Sequence, residues 1–280
     1  MNSFSSSSAR LAVAALILAL SACGSESSRG TEAATKLVLT GSSTVAPLAA
    51  EIAKRFETEH PGVRIDVQTG GSSRGIADAR SGVANIGLAS RALKPDEGDL
   101  SAHTLAVDGI ALIAHSSNPL NGLSTDQVRA LFRGELTNWS ALDGPDRAVT
   151  IVNKAEGRST LELFLHHFGL TAPEIRASAV IGDNEQGIKT VAANPGAIGY
   201  VSIGSAEYAA THGVAIRLLA LDGVDAGVDT VKAGRYPLSR PLNLVTLGPP
   251  QGLALAFITY AQSSAVRDLV EEVHFVALDE

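Results

Sequence analysis

The sequence predicts an α/β protein arranged as two lobes. Three observations carry that expectation. The chain has 280 residues, enough for two lobes of about a hundred residues each with buried cores. Strand-like and helix-like segments alternate from Lys36 onward, the rhythm of α/β architecture. Three times, a short strand runs through a Gly/Ser/Thr-rich turn straight into a helix.

Lys36-Leu-Val-Leu-Thr40 has the composition of a short buried strand, and Val45 to Glu59 has helical spacing. Leu48, Ile52, Ala53 and Phe56 share one face of that helix, and Pro61-Gly62 ends it. Val63 to Gln68 alternates as a strand, a helix begins at Ile76, and Asn85–Ala89 and Gly109–Ala114 are further buried strands. Thr125 to Phe132 is a helix capped by Ser124 or Thr125. Val149–Val152 is a strand, and Thr160 to Phe168 is a helix closed by Gly169. Gly196 to Ser202 and Asn243 to Leu247 are strands, and helices around 253–261 and 264–273 finish the chain.

The three turns are Gly41-Ser-Ser-Thr44, Gly70-Gly-Ser-Ser-Arg-Gly75 and Lys154-Ala-Glu-Gly-Arg-Ser-Thr160. A helix N-terminus presents unpaired N–H groups and about half a positive charge, which suits an anion. Glycine permits close backbone approach, and Ser and Thr hydroxyls add donors without net charge. A single Ser or Thr at a helix start often serves only as an N-cap. Three such turns, two of them carrying Arg74, Lys154 and Arg158, point instead to a shared oxyanion site. None has the Gly-x4-Gly-Lys-Ser/Thr spacing of a nucleotide-binding P-loop or the Gly-x-Gly-x-x-Gly of a dinucleotide fold.

Composition narrows the alternatives. With 22 basic against 29 acidic residues the net charge is −7, so a nucleic-acid partner is not expected. One cysteine, Cys23, excludes an intrachain disulfide and any cysteine-built metal cluster. Residues 1–22 hold one basic residue, Arg10, then an apolar run from Leu11 to Leu20 that is too short to span a bilayer. Leu20-Ser21-Ala22-Cys23 resembles the lipobox of bacterial lipoproteins, which implies a signal peptide over 1–22 and a lipidated Cys23 as first mature residue. Losing Arg10 leaves 21 basic against 29 acidic residues, a mature charge of −8. Residues 23–35 read as a flexible tether. The protein is then expected outside the cytoplasm, in the periplasm or on the outer cell face, anchored by acyl chains without spanning the membrane.

The chain from Lys36 onward resembles the phosphate-binding proteins of bacterial ABC importers. The matching stretches are Gly41 to Pro47, Gly70 to Gly75, Ile86-Gly-Leu-Ala-Ser-Arg91, Asp108-Gly109, Leu131 to Gly134 with Thr137-Asn-Trp139, Gly196 to Tyr200, and Tyr236-Pro-Leu-Ser-Arg-Pro241. The resemblance implies a type II periplasmic-binding-protein fold with two crossover strands. Residues 36–108 plus 236–280 would form one lobe and 109–235 the other. It implies that a monomer binds phosphate or a related tetrahedral oxyanion and passes it to ABC permease subunits, with no cofactor, no metal and no catalysis. By position, Ser43, Thr44, Ser72, Ser73, Gly157, Ser159 and Thr160 would contact the anion through backbone N–H and hydroxyl donors. Lys154 stands where the family usually has Arg, exchanging a planar fork for a point charge. Arg74 and Arg158 add positive charge at positions usually small or neutral. Asn85 stands where the family usually has an Asp that accepts the proton of hydrogen phosphate, which implies weaker discrimination between phosphate and sulfate.

Two other functions are compatible with an extracytoplasmic α/β protein. A serine hydrolase or phosphatase lacks support, since there is no Gly-x-Ser-x-Gly elbow. A sensor that binds the oxyanion without feeding a transporter would have the same site. His166-His167 face different sides of one helix, Trp139 suits a loop anchor, and Asp222–Asp229 lacks the ligand register of a calcium loop.

Overall fold

A computed structural model describes residues 35–278. The expected signal peptide, Cys23 and nearly all of the expected tether lie outside these residues. Along the chain run β1 (Thr35–Gly41), α1 (Ala46–Glu59), β2 (Val63–Thr69), α2 (Ser72–Ser81), β3 (Ile86–Ala89) and β4 (Leu100–His115). Next come β5 (Gly122–Leu123), α3 (Thr125–Phe132), β6 (Thr150–Lys154), α4 (Ser159–Phe168), β7 (Ala179–Ile181), α5 (Asn184–Ala192) and β8 (Ala197–Ser202). The remainder is α6 (Ile203–Thr211), β9 (Ile216–Leu221), α7 (Val228–Lys232), β10 (Ser239–Leu247), α8 (Gly252–Ala261), α9 (Arg267–Glu272) and β11 (Val276–Ala277).

The α/β alternation expected from the sequence is present. The strand expected at 109–114 is the second half of a 16-residue strand, β4. Its first part, Leu100–Gly109, mixes buried positions with half-buried ones and the exposed Ala102, and so lacks a continuous apolar run. Helix α2 starts at Ser72, four residues before the expected Ile76, because its polar first turn carries no hydrophobic signal. The amphipathic helix α5 was not anticipated; Asp183 caps it by accepting from the Gln186 N–H at 2.7 Å.

Strands pair in the order β2-β1-β3-β10-β4-β8-β6-β7. β1 is parallel to β2 and β3, and β6 is parallel to β7 and β8. Between these two parallel groups stand β4 and β10, antiparallel to one another from Leu100↔Leu247 to Gly109↔Ser239. From Ile110 onward β4 leaves β10 and pairs with β8 and β9.

The apolar interior follows the same division. One cluster gathers Leu37, Leu39, Ile52, Phe56, Leu105, Leu242 and Phe257, and another gathers Ile110, Ile113, Phe132, Trp139, Phe164, Tyr200 and Leu238. β4 contributes to both clusters, whereas β10 contributes Leu242 and Leu244 to the first and the segment just before it contributes Tyr236 and Leu238 to the second. The parallel strands β1, β3 and β6 end facing the region where the clusters meet, the place where open α/β sheets bind ligands.

Candidate functional site

The three Gly/Ser/Thr turns lead into α1, α2 and α4. None of these helices has a side-chain N-cap hydrogen bond: their N-cap residues are Val45, Gly71 and Arg158. Helices α3, α5 and α6 are capped by Ser124, Asp183 and Ser202. The simple capping explanation of the hydroxyls therefore fails at the second and third turns, while at the first Ser42 Oγ accepts the Thr44 and Val45 N–H groups just ahead of α1. Ser72 and Ser159 are the first residues of their helices, so their hydroxyls turn inward and leave the first-turn N–H groups to other acceptors.

Those hydroxyls meet. Ser72 Oγ donates to Ser159 Oγ at 3.1 Å, and Ser90 Oγ lies 2.6 Å from Ser159 Oγ. Ser42 Oγ donates to Ser90 Oγ at 3.0 Å while accepting the Thr44 N–H at 3.1 Å. Ser42, Thr44, Ser72, Ser90, Ser159 and Thr160 are all buried. Such a hydroxyl cluster can donate to or accept from a bound group by rotation alone.

Glycines make the approach of α2 to the sheet possible. A methyl at Gly75 would lie 2.4 Å from the Thr40 carbonyl oxygen and 2.8 Å from Gly41 Cα. Gly41 itself holds φ at +136°, which few other residues adopt.

Two cations enter the cluster. Arg240 on β10 donates through Nη1 to Thr160 Oγ1 at 2.9 Å and through Nη2 to Thr44 Oγ1 at 3.2 Å. Asp108 on β4 holds it, with Oδ2 2.9 Å from Nη2. Lys154, at the end of β6, is 3% exposed, and its Nζ donates to Asn184 Oδ1 at 3.1 Å. Burial pulls the Lys154 ammonium down to about 7, assisted by the Arg240 and Arg158 charges and opposed by Asp183. An anion placed here would restore its charge.

The structure thus brings Thr44, Ser72, Lys154, Ser159 and Thr160 together. Gly157 holds φ at +75°, and its carbonyl accepts the Ser73 N–H at 3.3 Å. Ser73 Oγ is directed to Glu162 Oε1 at 3.0 Å. Ser43 is half-buried, and its neighbour Ser42 enters the network instead. Arg158 is half-buried beside Gly71, near enough to lower the Lys154 ammonium. Arg74 does not join the cluster: it is exposed and pairs with Asp78 at 3.3 Å, one turn along α2.

The expectation for Asn85 needs correcting. It precedes β3, whereas the hydroxyl cluster lies beyond that strand's other end. Five residues of strand put Asn85 about 16 Å from Ser90. Asn85 is exposed, and its Oδ1 accepts the Val38 N–H at 2.7 Å, extending the β1–β3 pairing. A buried site at the carboxyl ends of parallel strands cannot use a residue at their amino ends.

Sequence reasoning assigned no role to Ser42, Ser90, Asp108, Asn184 or Arg240. Ser42, Ser90, Asp108 and Arg240 fall within the matching stretches, which was the available signal. Asn184 had none beyond a position at the start of an amphipathic helix. Trp139 is a loop anchor as expected, fully buried with Nε1 donating to the Gly196 carbonyl at 3.0 Å. Among the described residues no group of His, Cys, Asp and Glu is arranged to hold a metal, and no helix is long and apolar enough to cross a membrane.

Comparison with known proteins shows what the whole chain is similar to. Residues 26–265 match the PBP superfamily domain. The phosphate-binding protein PstS of Bacillus subtilis is 31% identical over 272 residues, covering 92% of this chain and 88% of its own. A crystal structure of a phosphate ABC transporter substrate-binding protein with bound phosphate, from Clostridium perfringens, superposes with a TM-score of 0.81. It is 30% identical and covers 88% of this chain and 100% of its own. A phosphate transport receptor from Vibrio cholerae superposes with a TM-score of 0.72 at 26% identity, covering 87% and 100%. The two-lobed type II fold expected from the sequence is the fold of these proteins.

Proposed function

This chain belongs to the PBP superfamily, and on that premise we propose that it binds inorganic phosphate, or a closely related tetrahedral oxyanion, outside the cytoplasm and delivers it to an ABC importer. The observation that carries the reading is the convergence of three helix N-termini, two of them without a side-chain cap, six buried hydroxyls, Arg240 and Lys154 on one region. Arg240 is neutralised by Asp108, whereas Lys154 is held by an amide. The buried site therefore lacks about one negative charge, which an oxyanion supplies. Thr44, Ser72, Gly157, Ser159, Thr160 and Lys154 are its contacts in this reading, with Arg158 at the margin and Ser73 supporting. The PstS relative is named a phosphate-binding protein and the superposed structure a transporter's substrate-binding protein, which supports capture and delivery as the function.

The lobe boundaries in this reading follow the two apolar clusters. Residues 36–108 with 236–280 supply one and 109–235 supply most of the other, to which Tyr236 and Leu238 also contribute, and β4 and β10 are the crossover strands. Cys23 anchors the protein by lipid, and the domain works as a monomer. Support for the anchor comes from the lipobox alone, and mass spectrometry of the native protein tests it by the acyl mass on Cys23.

Binding is tested by calorimetry on the chain from Gly24 onward, unfolded and refolded to strip carried-over ligand. Phosphate and sulfate are titrated in turn. Saturable one-site binding of phosphate is expected; a folded sample that binds neither anion sinks the reading.

A further inference from the structure

Thr44 Oγ1 is met by two donors at once, Arg240 Nη2 at 3.2 Å and Asn184 Nδ2 at 3.0 Å. A hydroxyl offers two acceptor lone pairs and one O–H. With both lone pairs engaged, Thr44 retains only the capacity to donate. Neither neighbour can reverse its role. Arginine has no acceptor, and Asp108 pins this one from the adjacent strand at 2.9 Å. Asn184 Oδ1 faces the Lys154 ammonium at 3.1 Å and the Ser202 N–H at 3.4 Å. Both are donors, so the amide NH2 must be the end that faces Thr44.

Resting on the phosphate-binding reading above, we propose that Asn184 and Arg240 are positioning residues that hold Thr44 as an obligate hydrogen-bond donor, so that this corner of the site grips an unprotonated oxygen of the anion. A P–OH directed at Thr44 would find no acceptor there. The protonated oxygen of hydrogen phosphate is then directed toward Ser72, Ser90 and Ser159, whose hydroxyls can rotate to accept. Phosphate and sulfate both present bare oxygens, so the Thr44 corner binds them alike.

A double-mutant cycle reads this coupling. Asn184→Ala, Thr44→Val and the double variant are made in the chain from Gly24 onward, with folding checked by circular dichroism. Phosphate and sulfate are titrated calorimetrically into each. Asn184→Ala also releases Lys154, a loss common to both backgrounds that cancels in the cycle. Beyond it, the variant should weaken phosphate at least threefold more with Thr44 present than in the Thr44→Val background, where no hydroxyl remains to orient. The loss should be of similar size for sulfate. An equal loss in both backgrounds, no loss at all, or a loss confined to phosphate overturns the proposal. Asn184→Ser replaces the alanine variant if that one does not fold, with the same criteria. An unaltered chain that binds no phosphate sinks the binding reading itself, and this inference with it.

Discussion

Arg240 and Asp108 sit opposite one another on β10 and β4, their side chains 2.9 Å apart and each 1% exposed. They stand one residue from the point where β4 leaves β10 for β8 and β9. Removing one partner strands a buried charge. Asp108→Ala should therefore destabilise the fold by about 3–5 kcal/mol. The uncharged double variant Asp108→Asn/Arg240→Gln should recover most of that loss while still weakening phosphate. Urea denaturation checks the first expectation and calorimetry the second. A double variant no more stable than Asp108→Ala refutes the pairing argument.

Lys154 makes binding depend on pH. Burial, then the Arg240 and Arg158 charges, bring its ammonium to about 7, and a neighbouring anion raises it. Binding then takes up a proton above pH 7, so affinity declines as pH rises through that value. Comparison with Lys154→Arg, which stays charged, cancels the ionisation of phosphate itself. The ratio of the two affinities should fall between pH 7 and 9; a constant ratio refutes the assignment.

The same group acts on stability in the opposite sense. Unfolded Lys154 returns to its ordinary 10.5, so between about pH 7 and 10.5 the unfolded chain holds more protons than the folded one. Stability without ligand should gain from this group as pH rises through that window. Lys154→Met removes the contribution, and the difference between the two urea midpoints across pH measures it. A difference that does not change with pH counts against the shift.

Asn85→Asp should leave the phosphate-to-sulfate affinity ratio within twofold of its original value. Residue 85 is exposed at the far end of β3, and aspartate can still accept the Val38 N–H. A marked gain in phosphate preference would place this residue back in the selectivity argument.

Gly75→Ala tests how closely α2 must approach β1. The new methyl would meet the Thr40 carbonyl at 2.4 Å, and backbone does not yield as a side chain does. A loss of about 1–3 kcal/mol is expected from overpacking, with weaker phosphate binding because Ser72 begins the displaced helix. Unchanged stability and affinity would show that α2 tolerates a shift.

Local chemistry made much of the fold legible. Helix α3 was readable to the residue because a Ser124 cap, an apolar stripe and a terminal turn coincide within ten positions. The three Gly/Ser/Thr turns were readable because strand, turn and helix start are contiguous. Helix α5 and the first half of β4 were missed for the same reason in reverse. One is short and polar at its start, and the other is only intermittently apolar.

By itself, then, the sequence determined the α/β class, the resemblance to anion-binding proteins and the turns that carry most of the hydroxyls. Each of these rests on residues a few positions apart. Only the tertiary structure decided that Ser90, Asn184 and Arg240 face the same hydroxyls, and that Asn85 does not. Thr44 and Arg240 are 196 positions apart, and Asn85 and Ser90 only five. Proximity in a folded sheet depends on which end of a strand a residue occupies and which strands pair, and neither is written in local spacing.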